Sequence, residues 1–199
     1  MKLNRRFSRR LGETIMTSAD ADAIPDVKNA YPELPVIAYA RTSVAMKDVI
    51  AYMASTAVTT PIKRAGYVMF RNESGNGRSG VNNNYVGLQA DGNRLPDKWT
   101  PFIAGTCVHK ENKTNKWRRF VCLKDWKTSV DILFDRVGSR GLFVGGFAHP
   151  HANMHINSDD DWPLAYWREW VRGDGTVTIP TADKTSLLSQ YRDAVRNFP

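Results

Sequence analysis

Cysteine is scarce in this chain: of 199 residues only Cys107 and Cys122 carry a thiol. Two thiols exclude a thiolate zinc site and a disulfide-dense scaffold. Long apolar runs are missing as well. No window approaches the roughly 18 apolar residues of a membrane span. The basic opening, Lys2, Arg5, Arg6, Arg9 and Arg10, is not followed by the apolar stretch of roughly 7–15 residues that a general secretion signal requires. The expectation is a chain without a membrane span or an ordinary signal peptide. Acid is in short supply too, with 20 Asp and Glu against 28 Lys and Arg, a formal charge of +8. That excess predicts attraction to a polyanion, whether nucleic acid, anionic lipid or the bacterial cell wall, and does not choose among them. There is no internal repeat. Gly75, Gly77 and Gly80 form no phosphate loop, because no Lys-Ser/Thr pair opens a helix after them.

What is present suffices for one core: 42% of the residues are hydrophobic, enough for a single domain at this length. Residues 1–35 read as a basic N-terminal arm and an irregular, proline-bearing lead-in, and 36–199 as the domain. Within it, three- and four-residue spacing of Val44, Met46, Val49, Ile50, Met53, Ala54 and Val58 predicts a helix from Val44 to Val58, with Ser43 as its N-cap. Thr60-Pro61 starts a second helix, since proline is favoured at the first helical position. It runs to Glu73, where Ser74 to Gly80 is rich in turn formers.

Short strands are predicted at Tyr85–Gln89, Phe102–Val108 and Trp117–Leu123, then helices from Asp125 to Gly138, Asp159 to Val171 and Thr181 to Asn197. Helices, a small antiparallel sheet and further helices make an α+β domain. If the last two strands turn at Thr114-Asn115, Cys107 and Cys122 stand opposite each other, within bonding range; the preferred reading is two free, half-buried thiols.

Glu73 is the candidate of most chemical interest. At a helix C-terminus the dipole disfavours a carboxylate, and partial burial adds to that, so the side chain can hold a proton and donate it to a glycosidic oxygen. The plain alternative is an exposed helix glutamate, which is what most glutamates are. Asn82, Asn83 and Asn84 fit either a polar turn or the recognition of sugar hydroxyl and acetamido groups. Strand alternation would put Tyr85, Gly87, Gln89 and Asp91 on one face. Asp91 is then the candidate second carboxylate, with membership of an Asp91-Gly92 turn as the equal alternative. Asp97 is a weaker choice. Trp99, Trp117, Trp162 and Trp167 read mainly as core, with one or two able to stack on a pyranose ring. His149, His151 and His155 sit near Asp159 to Asp161, but their spacing is loose. An exposed polar loop is the preferred reading there, with no metal and no cofactor.

Asn72-Glu73-Ser74-Gly75 followed by Asn82-Asn83-Asn84-Tyr85-Val86-Gly87-Leu88 resembles the pattern around the catalytic acid of flagellar-type and autolysin-type glucosaminidases, members of the lysozyme superfamily. There, Glu-Ser-Gly precedes an Asn-Asn-aromatic-x-Gly-aliphatic strand. Arg119 to Val130 resembles a strand-to-helix segment of the same enzymes, and the likeness spans about residues 60 to 172. It implies a lysozyme-like, mostly helical fold with a small sheet beside the catalytic helix. It also implies Glu73 as the catalytic acid, and Asn84, Tyr85 and Gln89 lining the sugar cleft. Tyr166, within Asp161-Trp162-Pro163-Leu164-Ala165-Tyr166, falls near where such families carry an Asp-Pro-x-Tyr-Ala helix with a cleft tyrosine, here in a different order. The implied activity is cleavage of peptidoglycan glycan strands, by hydrolysis or by anhydro-forming transglycosylation. Delivery to the cell wall would follow a phage-type or specialised-secretion route, the latter implying an immunity protein. The competing classes are a basic nucleic-acid-binding module using the arm and Arg118-Arg119, and a sugar-binding particle protein that has lost catalysis.

Overall fold

The computed structural model describes residues 26–111, 116–138, 161–172 and 176–199. Strand β1 (Arg41–Thr42) leads to helices α1 (Met46–Ser55) and α2 (Thr60–Glu73), then strand β2 (Gly80–Val81). A 3-10 turn over Asp97–Phe102 precedes strands β3 (Ile103–Lys110) and β4 (Trp117–Leu123). Helices α3 (Lys127–Gly138), α4 (Asp161–Tyr166) and α5 (Thr181–Asn197) complete the order, with α4 continuing as a π-helical turn over Trp167–Arg172. The architecture is a mixture of helices and small antiparallel sheets, the α+β class expected from the order of elements.

Helix α2 is the axis of the domain. Ala65, Gly66, Tyr67, Val68, Met69 and Phe70 are buried in succession, and a helix buried on all sides must be sheathed by others. Helices α1, α3 and α5 pack around it. Gly66 is the close-approach point: a Cβ there would lie 2.6 Å from Cε1 of Phe134 on α3. Beneath the helix C-terminus, Tyr85 stacks on Phe70 with centroids 5.5 Å apart. At the opposite flank Trp162 is sandwiched between Tyr166 (5.1 Å) and Tyr191 (5.4 Å). One apolar cluster runs through these groups from Tyr31 to Phe198.

Two small antiparallel sheets flank the helices, β1 with β2 and β3 with β4. The β3–β4 ribbon is widened by single pairings, Val36 with Thr106 on one side and Gln89 with Phe120 on the other. The lead-in to the domain is irregular, as its prolines predict, yet its described part is firmly held. Tyr31 is fully buried, its hydroxyl accepts the Leu95 N–H at 2.7 Å, and the Arg119 guanidinium donates twice to the carbonyl of Val27. The packed unit therefore starts before residue 36. The basic arm up to residue 25 lies outside the described residues, as does the histidine loop containing His149, His151 and His155.

Four local expectations are corrected. Helix α1 starts at Met46 rather than at Val44, because Val44 gives its N–H to Gly77 O at 2.8 Å and Ala45, not Ser43, is the extended N-cap. The segment Tyr85–Gln89 is not a strand: it wraps around the side chain of Asn84 and passes through Gly87 at φ +65°. Cys107 stands opposite Phe120 and Cys122 opposite Gly105, a register two residues from the one expected. The two thiols are diagonal neighbours and remain free; both are fully rather than half buried. Of the helix expected over Asp159–Val171, Asp159 and Asp160 lie outside the described residues; Asp161–Tyr166 is α-helical and then widens into the π-helical turn.

Candidate active site

Residues after Glu73 are devoted to stopping the helix. Ser74 is buried; its hydroxyl donates to Phe70 O at 2.5 Å and accepts the Gly77 N–H at 2.8 Å. Gly75, Asn76 and Gly77 then take φ of +57°, +60° and +76°, left-handed values that glycine and asparagine tolerate best. A side chain at Gly77 would also strike Val44 O, 2.3 Å from a Cβ. Arg71 closes the turn by donating from Nε to Asn76 Oδ1 at 2.8 Å. Helix α2 therefore ends at Glu73, with the carboxylate on the last turn of the helix around which α1, α3 and α5 pack. Glu73 itself is exposed, so burial of the residue does not hold its proton.

What meets Glu73 comes from 93 positions away: the Tyr166 hydroxyl donates to Glu73 Oε1 at 3.0 Å. Tyr166 is only 2% exposed. Burial, then the charge of Glu73 and the hydrogen bond to it, raise its pKa far above the ordinary tyrosine value. The phenol therefore stays a donor at every working pH.

The two residues open onto a cleft of about 610 Å³. Glu111, just past β3, and Asp183, in the first turn of α5, add carboxylates to its lining. Trp167, Val171 and Leu187 supply apolar surface. Asn72 is fixed beside Glu73 by donating to Val68 O (2.8 Å) and to Gln190 Oε1 (3.0 Å) on α5. The cleft is thus acidic on a chain that is basic overall.

Of the residues singled out from sequence, Glu73, Tyr166 and Trp167 are brought together here, and Asn82, Asn83, Asn84, Tyr85, Gln89 and Asp91 are not. Asn84 is 2% exposed. Its amide donates to Leu88 O and Val121 O, both at 2.9 Å, and its carbonyl accepts from Val86 N and Leu88 N. Every polar position of that side chain is consumed by backbone, leaving none for a sugar. Asn82 and Asn83 likewise bond backbone, at Ala38, Ala40 and Leu123. Tyr85 is 1% exposed and belongs to the core under α2. Gln89 pairs through its backbone with Phe120 and is outside the cleft. Asp91 faces Arg118 at 3.3 Å with its side chain 9% exposed, a structural ion pair away from the cleft lining.

Arg118 and Arg119 are thereby committed internally, Arg119 to Val27 O and to Thr106 Oγ1. Among the described residues no group of three or more His, Cys, Asp or Glu is disposed to hold a metal ion, and no helix is long and apolar enough to cross a membrane. Glu111 carries no sequence signal: in Lys110-Glu111-Asn112-Lys113 it reads as an ordinary charged hairpin end. The chain matches no protein-family model, no curated protein and no solved structure.

Proposed function

We propose that this chain is a glycosidase that cuts the glycan strands of bacterial peptidoglycan, with a lysozyme-like arrangement of helices and sheet around α2 and with Glu73 as general acid. The observation that supports it best is the hydrogen bond from buried Tyr166 to Glu73 Oε1 at the wall of an open, sugar-sized cleft. With Oε1 accepting from Tyr166, Oε2 is the oxygen that would carry the proton given to a glycosidic oxygen. The helix C-terminus favours the protonated form. The tyrosine favours the carboxylate that forms once the proton has left, which is stabilisation that grows toward the transition state.

Cleavage of a glycosidic bond generally employs a second carboxylate, either to activate water or to attack the anomeric carbon. Glu111 takes that role in this proposal in place of Asp91, because it lines the cleft from the β-hairpin while Asp91 is paired with Arg118. The net positive charge elsewhere on the molecule favours approach to the anionic wall. The test is release of reducing sugar from purified peptidoglycan, with the products identified by mass spectrometry. Glu73→Gln should abolish release while leaving the melting transition in place. Substantial residual release by that variant refutes the mechanism, and anhydro-sugar products instead of reducing ends remove the hydrolytic role of Glu111.

A further inference from the structure

We infer that Trp167 and Val171, on the π-helical turn that follows Tyr166, form a flat apolar shelf on which a pyranose ring stacks beside the bond that Glu73 protonates. The inference rests on the glycosidase reading and names the binding determinant of that same cleft. It begins with backbone geometry. At about 100° per residue an α-helix would swing Val171 roughly 140° away from Tyr166. The π-helical turn over Trp167–Arg172 pairs residues five apart instead. Tyr166, Trp167 and Val171 consequently line one cleft, and all three do so here.

Trp162 and Trp167 of this segment have opposite surroundings. Trp162 is fully buried between two tyrosine rings, an ordinary core side chain. Trp167 is only half-buried and lines the cleft. The Arg172 guanidinium lies 6.0 Å from its ring centroid, the outer limit of such a contact. Val171 leaves 44% of its surface in water although it is neither at a chain end nor in an extended loop. Glu73, Glu111, Asp183 and Ser186 line the same cleft, all of them hydrogen-bonding groups. Apolar surface and hydrogen-bonding groups in one cleft match a β-linked pyranose, whose ring faces expose C–H bonds and whose rim carries hydroxyl and acetamido groups.

The experiment measures binding of chitotetraose, a β-1,4-linked tetramer of N-acetylglucosamine, to the full chain carrying Glu73→Gln, by calorimetry and by tryptophan fluorescence. Adding Trp167→Leu should weaken binding about tenfold, the scale of one aromatic stacking contact. Adding Trp167→Phe, which keeps a flat ring, should cost much less. Saturable quenching of fluorescence should vanish in the Trp167→Phe protein while its calorimetric affinity persists, a signature that a merely structural role would not produce. Val171→Ser alters an exposed position and should weaken binding several-fold even if Trp167→Leu proves unstable.

Unchanged affinity in Trp167→Leu or in Val171→Ser overturns the shelf, as does quenching that survives Trp167→Phe or a parent protein that binds no chitotetraose. Failure of the catalytic reading looks different: the unmodified chain would then release no sugar from peptidoglycan, whatever stands at 167.

Discussion

Replacing Tyr166 by Phe removes one oxygen from a buried site and tests whether Glu73 works as a proton donor. In the native protein that oxygen donates to Glu73 Oε1 at 3.0 Å. A hydrogen bond to a charged group contributes about 1.5–3 kcal/mol. Glu73 is exposed, so water partly replaces the phenol and the lower end of that range applies. Because the bond strengthens as the proton leaves, its loss falls on the transition state. About 1.5 kcal/mol corresponds to roughly a tenfold fall in kcat/KM.

The pH profile supplies a sign as well as a size. A general acid is active while protonated, so rate is lost as pH rises through its pKa. A donor to the carboxylate stabilises the ionised form and holds that pKa down; removing it moves the alkaline limb to higher pH. The Tyr166 phenol, with its own ionisation pushed far up by burial and by the Glu73 charge, does not itself titrate in the window. Initial rates of wall clearing by Tyr166→Phe and the native chain, measured across pH at matched ionic strength, read both effects. An alkaline limb that stays in place or moves down refutes the assignment of Glu73 as an acid held by Tyr166, even if the rate falls.

Two further outcomes separate site from scaffold. Asp91→Asn should keep wall-clearing activity within about twofold while lowering stability by about 1 kcal/mol, since its partner Arg118 is 39% exposed and water tempers the loss. Glu111→Gln should do the reverse, keeping the melting temperature and losing most of the activity; the opposite pattern would restore Asp91 as the second carboxylate. Gly66→Ala should destabilise by about 1–3 kcal/mol despite the better helix propensity of alanine, because its Cβ falls 2.6 Å from the Phe134 ring. Phe134→Leu in the same chain should recover part of that loss, as calorimetric melting would record, and additive losses in the double variant would contradict the packing argument.

Periodicity made the long elements legible. Helices α2 and α5 run where proline placement and apolar spacing put them, Thr60–Glu73 and Thr181–Asn197, and β4 spans the expected Trp117–Leu123. Errors cluster where a side chain competes with the backbone for hydrogen bonds. Tyr85 to Gln89 alternates like a strand, but Asn84 bonds the N–H groups of Val86 and Leu88 and the carbonyl of Leu88, which breaks any ladder at its first step. The cysteine register failed for a related reason: symmetry about a turn fixes pairing only if the turn is centred where assumed, and one position of displacement moves every partner by two. The widened turn after Tyr166 was illegible, because Asp161 to Val171 has a composition compatible with unbroken α-helix.

The site divides along the same line. Glu73, Ser74 and Gly75 form a contiguous message because stopping a helix is a local matter: a hydroxyl to cap Phe70 O, then a residue free to turn left-handed. Asn84 and Tyr85 belong to that message as well, yet their part is to build the floor beneath the acid, not to touch a ligand. Groups that share the cleft with Glu73, namely Glu111, Trp167 and Asp183, come from three separate elements. They are bound to the acid by packing alone, and no spacing rule connects them. A local sequence pattern can thus encode the turn that presents one carboxylate while saying little about the surface it faces. If the chain is the proposed glycosidase, substrate choice is set by that surface and resides in the hairpin end, the π-helical turn and the start of α5, where sequence reading has least purchase.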